Sequence, residues 1–328
     1  MIGHTEFLLA ETVLIAALNT FRFTSEANVA ARTELHSFES FTVTDQQFLT
    51  GAKDGKPVTI AGELRLPAGT ERFPAVVLVH GSGGIGANLP VWADNLNRLG
   101  VAVFLVDCFT GRGIVQTITD QSQVGALAMI GDAYRALALL AKHDRIDPAK
   151  IALMGFSKGG DVALYASLKR FQRMYGPAGV EFAAYIAFYA PCNTTYLEGD
   201  EVSSRPIRMF HGSADNWAPV TACREYVKRL QQLGKDVQLT EYADANHGFD
   251  NPLNPVHEVP DAQVRGRRCS LEERQGGVLV NRETGQPFSF GDACIERGAT
   301  VGYDARAAHE AIQAVDEFLT SLWNLSPA

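Results

Sequence analysis

Three side chains in the order serine, aspartate, histidine have the types and placement that nucleophilic catalysis needs. Ser157 lies in Gly155-Phe156-Ser157-Lys158-Gly159, a G-x-S-x-G pattern between an apolar run and a helix-like run. Such a pattern forces a sharp turn that thrusts the serine hydroxyl out above a strand end. Flanking glycines are needed because a Cβ there would collide with neighbouring backbone. Asp215 closes His211-Gly212-Ser213-Ala214-Asp215, and His247 follows in Asn246-His247-Gly248-Phe249. A serine hydroxyl is a weak nucleophile, so a neutral imidazole must accept its proton during attack on a carbonyl and return it to the leaving group. The carboxylate fixes the imidazole's tautomer and stabilises its protonated form. Asp244 and Asp250 are rivals for the acid, and Asp215 is preferred because it follows the penultimate strand.

An oxyanion formed in that attack needs backbone donors. The N–H of Lys158, next after the nucleophile, is one candidate, and Ser82 in His80-Gly81-Ser82-Gly83-Gly84 is the other. Arg112 lies on a loop near the expected substrate position. It is a candidate for binding a substrate carboxylate, with a structural ion pair as the alternative. Trp217 and Phe249 flank the acid and the base, and either line an acyl pocket or simply pack. His80 and His211, each ahead of a glycine at a strand end, read as packed turn histidines.

The elements that must position these residues follow from hydrophobic periodicity. Residues 41–44 and 58–66 alternate sides as half-buried antiparallel strands do, with Asp54-Gly55 as a hairpin signal. Residues 75–79, 101–106 and 151–156 are continuous apolar runs, the mark of strands buried on both faces of a parallel sheet. Further strands are expected at 183–190, 207–211 and 237–242, and helices at 89–99, 123–142, 158–173, 219–233 and 304–322. Alternating strands and helices build an α/β fold, a doubly wound, mostly parallel sheet with an antiparallel N-terminal edge. Ser157, Asp215 and His247 then lie at the carboxyl ends of strands, where such sheets bind ligands.

The chain has 328 residues, 46% hydrophobic and 20% charged, with a formal net charge of -8. The acidic balance excludes general nucleic-acid binding, and no apolar run is long enough to span a bilayer. Residues 1–37 read as an N-terminal extension and 38–328 as one domain, interrupted by a polar insert at about 251–302 that carries no strand or helix pattern. The apolar stretch 7–18 is either a signal segment or an amphipathic helix. Nothing basic precedes it, and Glu11 interrupts it. Of the five cysteines, Cys192 with Cys223 and Cys269 with Cys294 form two couples that could bridge in an oxidising compartment; buried free thiols in a cytosolic enzyme are the alternative. No zinc-type spacing is present, and no metal or organic cofactor is implied. Nothing fixes an oligomeric state.

The chain resembles the dienelactone hydrolase family of α/β-hydrolases. The matching residues are Val79-His80-Gly81-Ser82-Gly83-Gly84, Asp107-Cys108-Phe109-Thr110-Gly111-Arg112-Gly113, the Ser157 pentapeptide with Gly160, His211 to Asp215, and Ala245-Asn246-His247-Gly248-Phe249-Asp250. The resemblance covers roughly residues 55–250 and the final helix. It implies the α/β-hydrolase fold and hydrolysis of a small-molecule ester or lactone through an acyl-enzyme. Founding members carry a cysteine where Ser157 stands, which favours ordinary ester hydrolysis. Cysteine-bearing inserts in exported bacterial relatives favour a periplasmic or secreted location over the cytoplasm. A peptidase of the prolyl-oligopeptidase type shares this fold and residue order, although nothing here resembles that family's propeller. Gly81-x-Gly83-x-x-Gly86 with Asp107 mimics a dinucleotide fingerprint, but a NAD(P)-dependent oxidoreductase leaves Ser157, Asp215 and His247 without a use. An inactive binding module leaves the same three unexplained.

Overall fold

Apolar strands that need cover on both faces set the centre of the molecule. In the computed structural model, which describes residues 30–325, all of β3 (Phe73–Val79) is buried. It lies between β4 (Ala102–Asp107) and β5 (Ile146–Phe156), parallel to both. Beyond β5 come β6 (Tyr185–Phe188), β8 (Ile207–Gly212) and β9 (Val237–Tyr242), all parallel; β7 (Thr194–Thr195) lies outside this sheet. On the other side β2 (Lys56–Leu66) and β1 (Arg32–Thr42) add an antiparallel edge, giving the order β1-β2-β4-β3-β5-β6-β8-β9.

Alternation along β3 sends side chains to two cores. Val76 and Leu78 pack with Trp92 of α2 (Asn88–Arg98) and with Val315 and Leu319 of the last helix, Ala305–Trp323. Ala75, Val77 and Val79 belong to the opposite core, with Leu137 of α3 (Ala126–Leu140) and Leu164 of α4 (Lys158–Tyr165). This is the expected mostly parallel α/β sheet with its antiparallel edge.

Four local expectations need correction. The sheet begins at Arg32, ahead of the boundary placed at 38. The first two strands are joined not by a tight turn at Asp54-Gly55 but through α1 (Asp45–Thr50). Thr44 opens α1: its hydroxyl accepts from Gln47 N at 3.1 Å, and Gln47 Oε1 accepts from Thr44 N at 2.9 Å. The helix expected over 158–173 breaks into α4 and α5 (Lys169–Tyr175). There Ser167 Oγ donates to Leu164 O at 2.5 Å, and Lys169 N donates to Glu201 O at 2.8 Å, so outside partners take over groups a continuous helix would satisfy itself.

The fourth correction is the insert, which is not a bare loop. β10 (His257–Val264) pairs with β13 (Glu296–Val301), and β11 (Leu271–Arg274) pairs with β12 (Val278–Asn281). β11 also runs parallel to β7, tying the insert to the main body. Disulfides join Cys269 to Cys294 and Cys192 to Cys223, and Cys108 is a buried free thiol. α6 (Thr221–Gln232) and the last helix, α7 (Ala305–Trp323), complete the chain. The apolar stretch 7–18 lies outside the described residues. No helix among the described residues is long and apolar enough to cross a membrane.

Candidate active site

Ser157 stands between β5 and α4 with φ 55° and ψ -114°, a backbone conformation that a non-glycine residue rarely adopts. Close packing imposes it. A Cβ on Gly155 would run into the carbonyl of Gly159, and one on Gly159 into that of Val79. The hydroxyl meets His247, whose Nε2 lies 2.9 Å from Ser157 Oγ, while its Nδ1 lies 2.7 Å from Asp215 Oδ2. With Nδ1–H donating to the carboxylate, Nε2 is free to accept the serine proton.

Asp215 is fixed from several sides. Its Oδ1 accepts from Trp217 N at 2.9 Å and Ala218 N at 2.8 Å, and His211 Nε2 lies 3.4 Å from Oδ2. Burial alone would push this carboxyl up. The His247 charge and hydrogen bonds from His211 and His247 outweigh it and hold the group well below the ordinary carboxylate range. The two rival acids are placed otherwise: Asp244 is exposed, and Asp250 is engaged by Tyr189 OH (2.6 Å), Trp92 Nε1 (2.8 Å) and Asn88 Nδ2 (3.0 Å). Tyr189 in turn packs its ring edge-on to His247, with centroids 4.7 Å apart.

The loop after β3 lies against Ser157, since a Cβ on Gly81 would sit 3.2 Å from the Cβ of Ser157. Ser82 and Lys158 both border the cavity at Ser157. Lys158 is the first residue of α4, so its N–H has no acceptor within the helix. Two cavities meet at Ser157 and His247. A narrow one of about 60 Å³ is edged by Asp45, Lys158, Asp161 and Arg265. A wider one of about 410 Å³ has a mixed lining that includes Leu89, Ile118, Val259, Asn251, Asn254 and His257. Trp217 borders both, its ring centroid 5.0 Å from that of His247.

For two residues whose roles stood open, the structure takes the structural alternative. Arg112 does not face substrate. Its side chain is buried, pairing with Asp132 at 2.7 and 3.0 Å and donating to the carbonyls of Cys108 (2.6 Å) and Phe41 (3.0 Å). With Nε also donating to Thr42 Oγ1 at 3.0 Å, all five N–H groups are used and none is left for a ligand. Phe249 is wholly buried against Phe188, Tyr189 and Tyr242, so it belongs to the core rather than a pocket wall. His80 is a packed turn residue, accepting from Cys108 N at 3.1 Å.

Sequence reasoning missed the charged wall of the narrow cavity. Arg265, from the insert, donates to Asp161 Oδ2 at 2.8 Å. Burial raises the Asp161 carboxyl to about 6, with the Arg265 charge opposing. Burial, helped by Arg265, lowers the Lys158 ammonium to about 7. Asp161 lies one helical turn after Ser157, a spacing that offered a signal; Arg265 offered none, because only tertiary folding brings it near. Glu34, His36 and His143 are grouped at ligand distance elsewhere. His143 Nδ1 accepts from Arg145 N at 3.1 Å, which leaves the ring proton on Nε2, facing Glu34. That suits a hydrogen-bonded set better than a metal site.

The dienelactone hydrolase family model matches residues 60–322. The chain belongs to the dienelactone hydrolase family. It is 24% identical over 234 residues to a probable 2-oxo-3-(5-oxofuran-2-ylidene)propanoate lactonase of Bradyrhizobium sp, covering 65% of this chain and 90% of that one. It is 22% identical over 207 residues to acyl-protein thioesterase 1 of Emericella nidulans, covering 63% and 79%. Among solved structures, a dienelactone hydrolase-like promiscuous phosphotriesterase from metagenomic libraries superposes with TM-score 0.53 at 17% identity, covering 88% of this chain and 98% of that one. A thermophilic esterase from Thermogutta terrifontis gives 0.53 at 18% identity, covering 82% and 92%. These likenesses show the α/β-hydrolase fold. This family member is a carboxylic ester hydrolase acting on a small-molecule ester or lactone, which removes the oxidoreductase and binding-module readings.

Proposed function

We propose that this dienelactone hydrolase family member cleaves its ester or lactone with Ser157 as nucleophile, through an acyl-enzyme. The observation that carries the reading is the continuous relay Ser157 Oγ–His247 Nε2–Asp215, with distances of 2.9 and 2.7 Å. Ser157 Oγ attacks the carbonyl carbon as its proton passes to His247 Nε2. The oxyanion is held by the N–H groups of Lys158 and Ser82. His247 then gives the proton to the departing alcohol oxygen, leaving the acyl group on Ser157. Water, deprotonated by His247, releases the acid and restores the serine. In a lactone the alcohol stays tethered to the acyl group and leaves with it. The two cavities favour an ester with a small substituent on one side of the carbonyl and a bulkier one on the other.

The test pairs p-nitrophenyl acetate and butyrate turnover with fluorophosphonate labelling of the full chain and of Ser157→Ala. Turnover should fall by about 10^6 in the variant, and labelling should vanish. Labelling that persists in Ser157→Ala, or turnover near wild type, rules Ser157 out as nucleophile.

A further inference from the structure

Lys158 carries a second feature that its place beside the nucleophile does not require. Its side chain is buried, and Nζ donates to Thr117 Oγ1 at 2.9 Å, Val124 O at 2.9 Å and Gln121 O at 3.4 Å. An ammonium has three N–H donors, and three oxygens of one segment, residues 117–124, receive them. The same segment grips the loop after β3. Thr117 N donates to Ser82 O at 2.7 Å, and the Gln121 side-chain amide lies 2.9 Å from Ser82 Oγ. The insert closes the set, since Gln121 N donates to Gln263 Oε1 at 2.7 Å and Gln263 N to Ile118 O at 2.8 Å.

We propose that the Lys158 ammonium is a positioning residue for the oxyanion hole, fixing through Thr117 and Gln121 the distance between its own N–H and the N–H of Ser82. This rests on the reading of Ser157 as nucleophile. One residue thus supplies a donor from its backbone and sets the other through its side chain. Oxyanion donors act only when aimed at the position the oxygen takes in the transition state, so a slack clamp lowers kcat and leaves substrate binding nearly intact.

The clamp also depends on pH. A neutral amine has two N–H groups and a lone pair, so it cannot serve three oxygens. Burial lowers this ammonium to about 7, and the Arg265 charge acts in the same direction. Asp45 at the start of α1, Asp161 on α4 and Asp120 in the loop ahead of α3 oppose that shift; His80 at the end of β3 also feels the charge. Activity therefore falls as pH rises through about 7. Stability moves the other way. Between about 7 and the ordinary 10.5 the unfolded chain binds more protons than the folded one, so this group adds stability with rising pH. Loss of activity without loss of stability separates positioning from unfolding.

The experiment measures kcat and KM for p-nitrophenyl acetate from pH 5.5 to 9 in the full chain, Lys158→Met, Lys158→Arg and Thr117→Val, with melting temperature at each pH. Wild type should show an alkaline limb in kcat near pH 7 and no matching drop in melting temperature. Lys158→Met should lose about 10- to 100-fold in kcat, with KM within about threefold and the limb gone; Lys158→Arg should recover much of the rate. Thr117→Val removes an acceptor that favours the charged form, so its limb should move to lower pH, and it serves alone if Lys158→Met does not fold. A folded Lys158→Met with wild-type kcat overturns the proposal, as does a limb unmoved in Thr117→Val. Failure of the parent reading is distinguishable, because Ser157→Ala would then keep its turnover whatever the Lys158 variants do.

Discussion

At the scale of single residues, Arg112 shows how a motif can leave two roles open, substrate binding or a structural ion pair. The loop after β4 was legible, and an arginine there suits a carboxylate. What decides its role is Asp132 on α3, buried and twenty positions away in sequence, which takes both ends of the guanidinium. Arg112→Met leaves that carboxylate buried without its ion-pair partner, with the Ser40 hydroxyl still donating to it, so urea unfolding should show a loss of about 3–5 kcal/mol. The ratio of KM for an ester carrying an acyl carboxylate to KM for its neutral analogue should stay as in wild type. A changed ratio with stability intact would return Arg112 to the substrate site. That Ser157, Asp215 and His247 meet was readable because the proposed chemistry constrains them twice, by residue type and by position at strand ends. Lys158 was readable only as a backbone donor, since nothing in the sequence places Thr117 and Val124 around its ammonium.

Among elements, the central strands were the most legible, because strands covered on both faces can only be continuous apolar runs, as β3 and β4 are. The insert was the least legible. Its strands are short, and the first five residues of β10 are exposed apart from the half-buried Val259, so no alternation marks it among the prolines and charges. Much of its order comes from partners distant in sequence: β13 for β10, β7 for β11, and the bond between Cys269 and Cys294. That bond spans 25 positions, and closing such a loop contributes about 3 kcal/mol in the chain-entropy account. The double variant Cys269→Ser with Cys294→Ser should therefore be cut by protease between 266 and 296 well before the rest of the domain. Its turnover should fall too, because Gln263 and Arg265 precede the staple directly. Identical cleavage patterns for the two proteins would show that the strand pairings hold the insert unaided.

On the scale of the whole molecule, two bridges and one buried thiol account for all five cysteines. Protein recovered from an oxidising compartment should titrate one thiol per chain after denaturation without reductant, and five after reduction. Five without reductant would mean the bridges do not form there. The mostly parallel sheet and its antiparallel edge followed from the sequence because right-handed crossovers leave few arrangements; the strand order did not. The composition of the pocket did not follow, because it is assembled from segments as far apart as Asp45, Gln121 and Arg265. The insert also lies late in the chain, between the strand that delivers His247 and the final helix, and Val301 bridges to His247 itself. A ribosome releases Ser157 long before these parts exist. Birth order thus makes the Ser157 helix old and its pocket wall young, so a nascent chain carries an unguarded serine that has neither His247 beside it nor an enclosed cavity around it until the insert has been made.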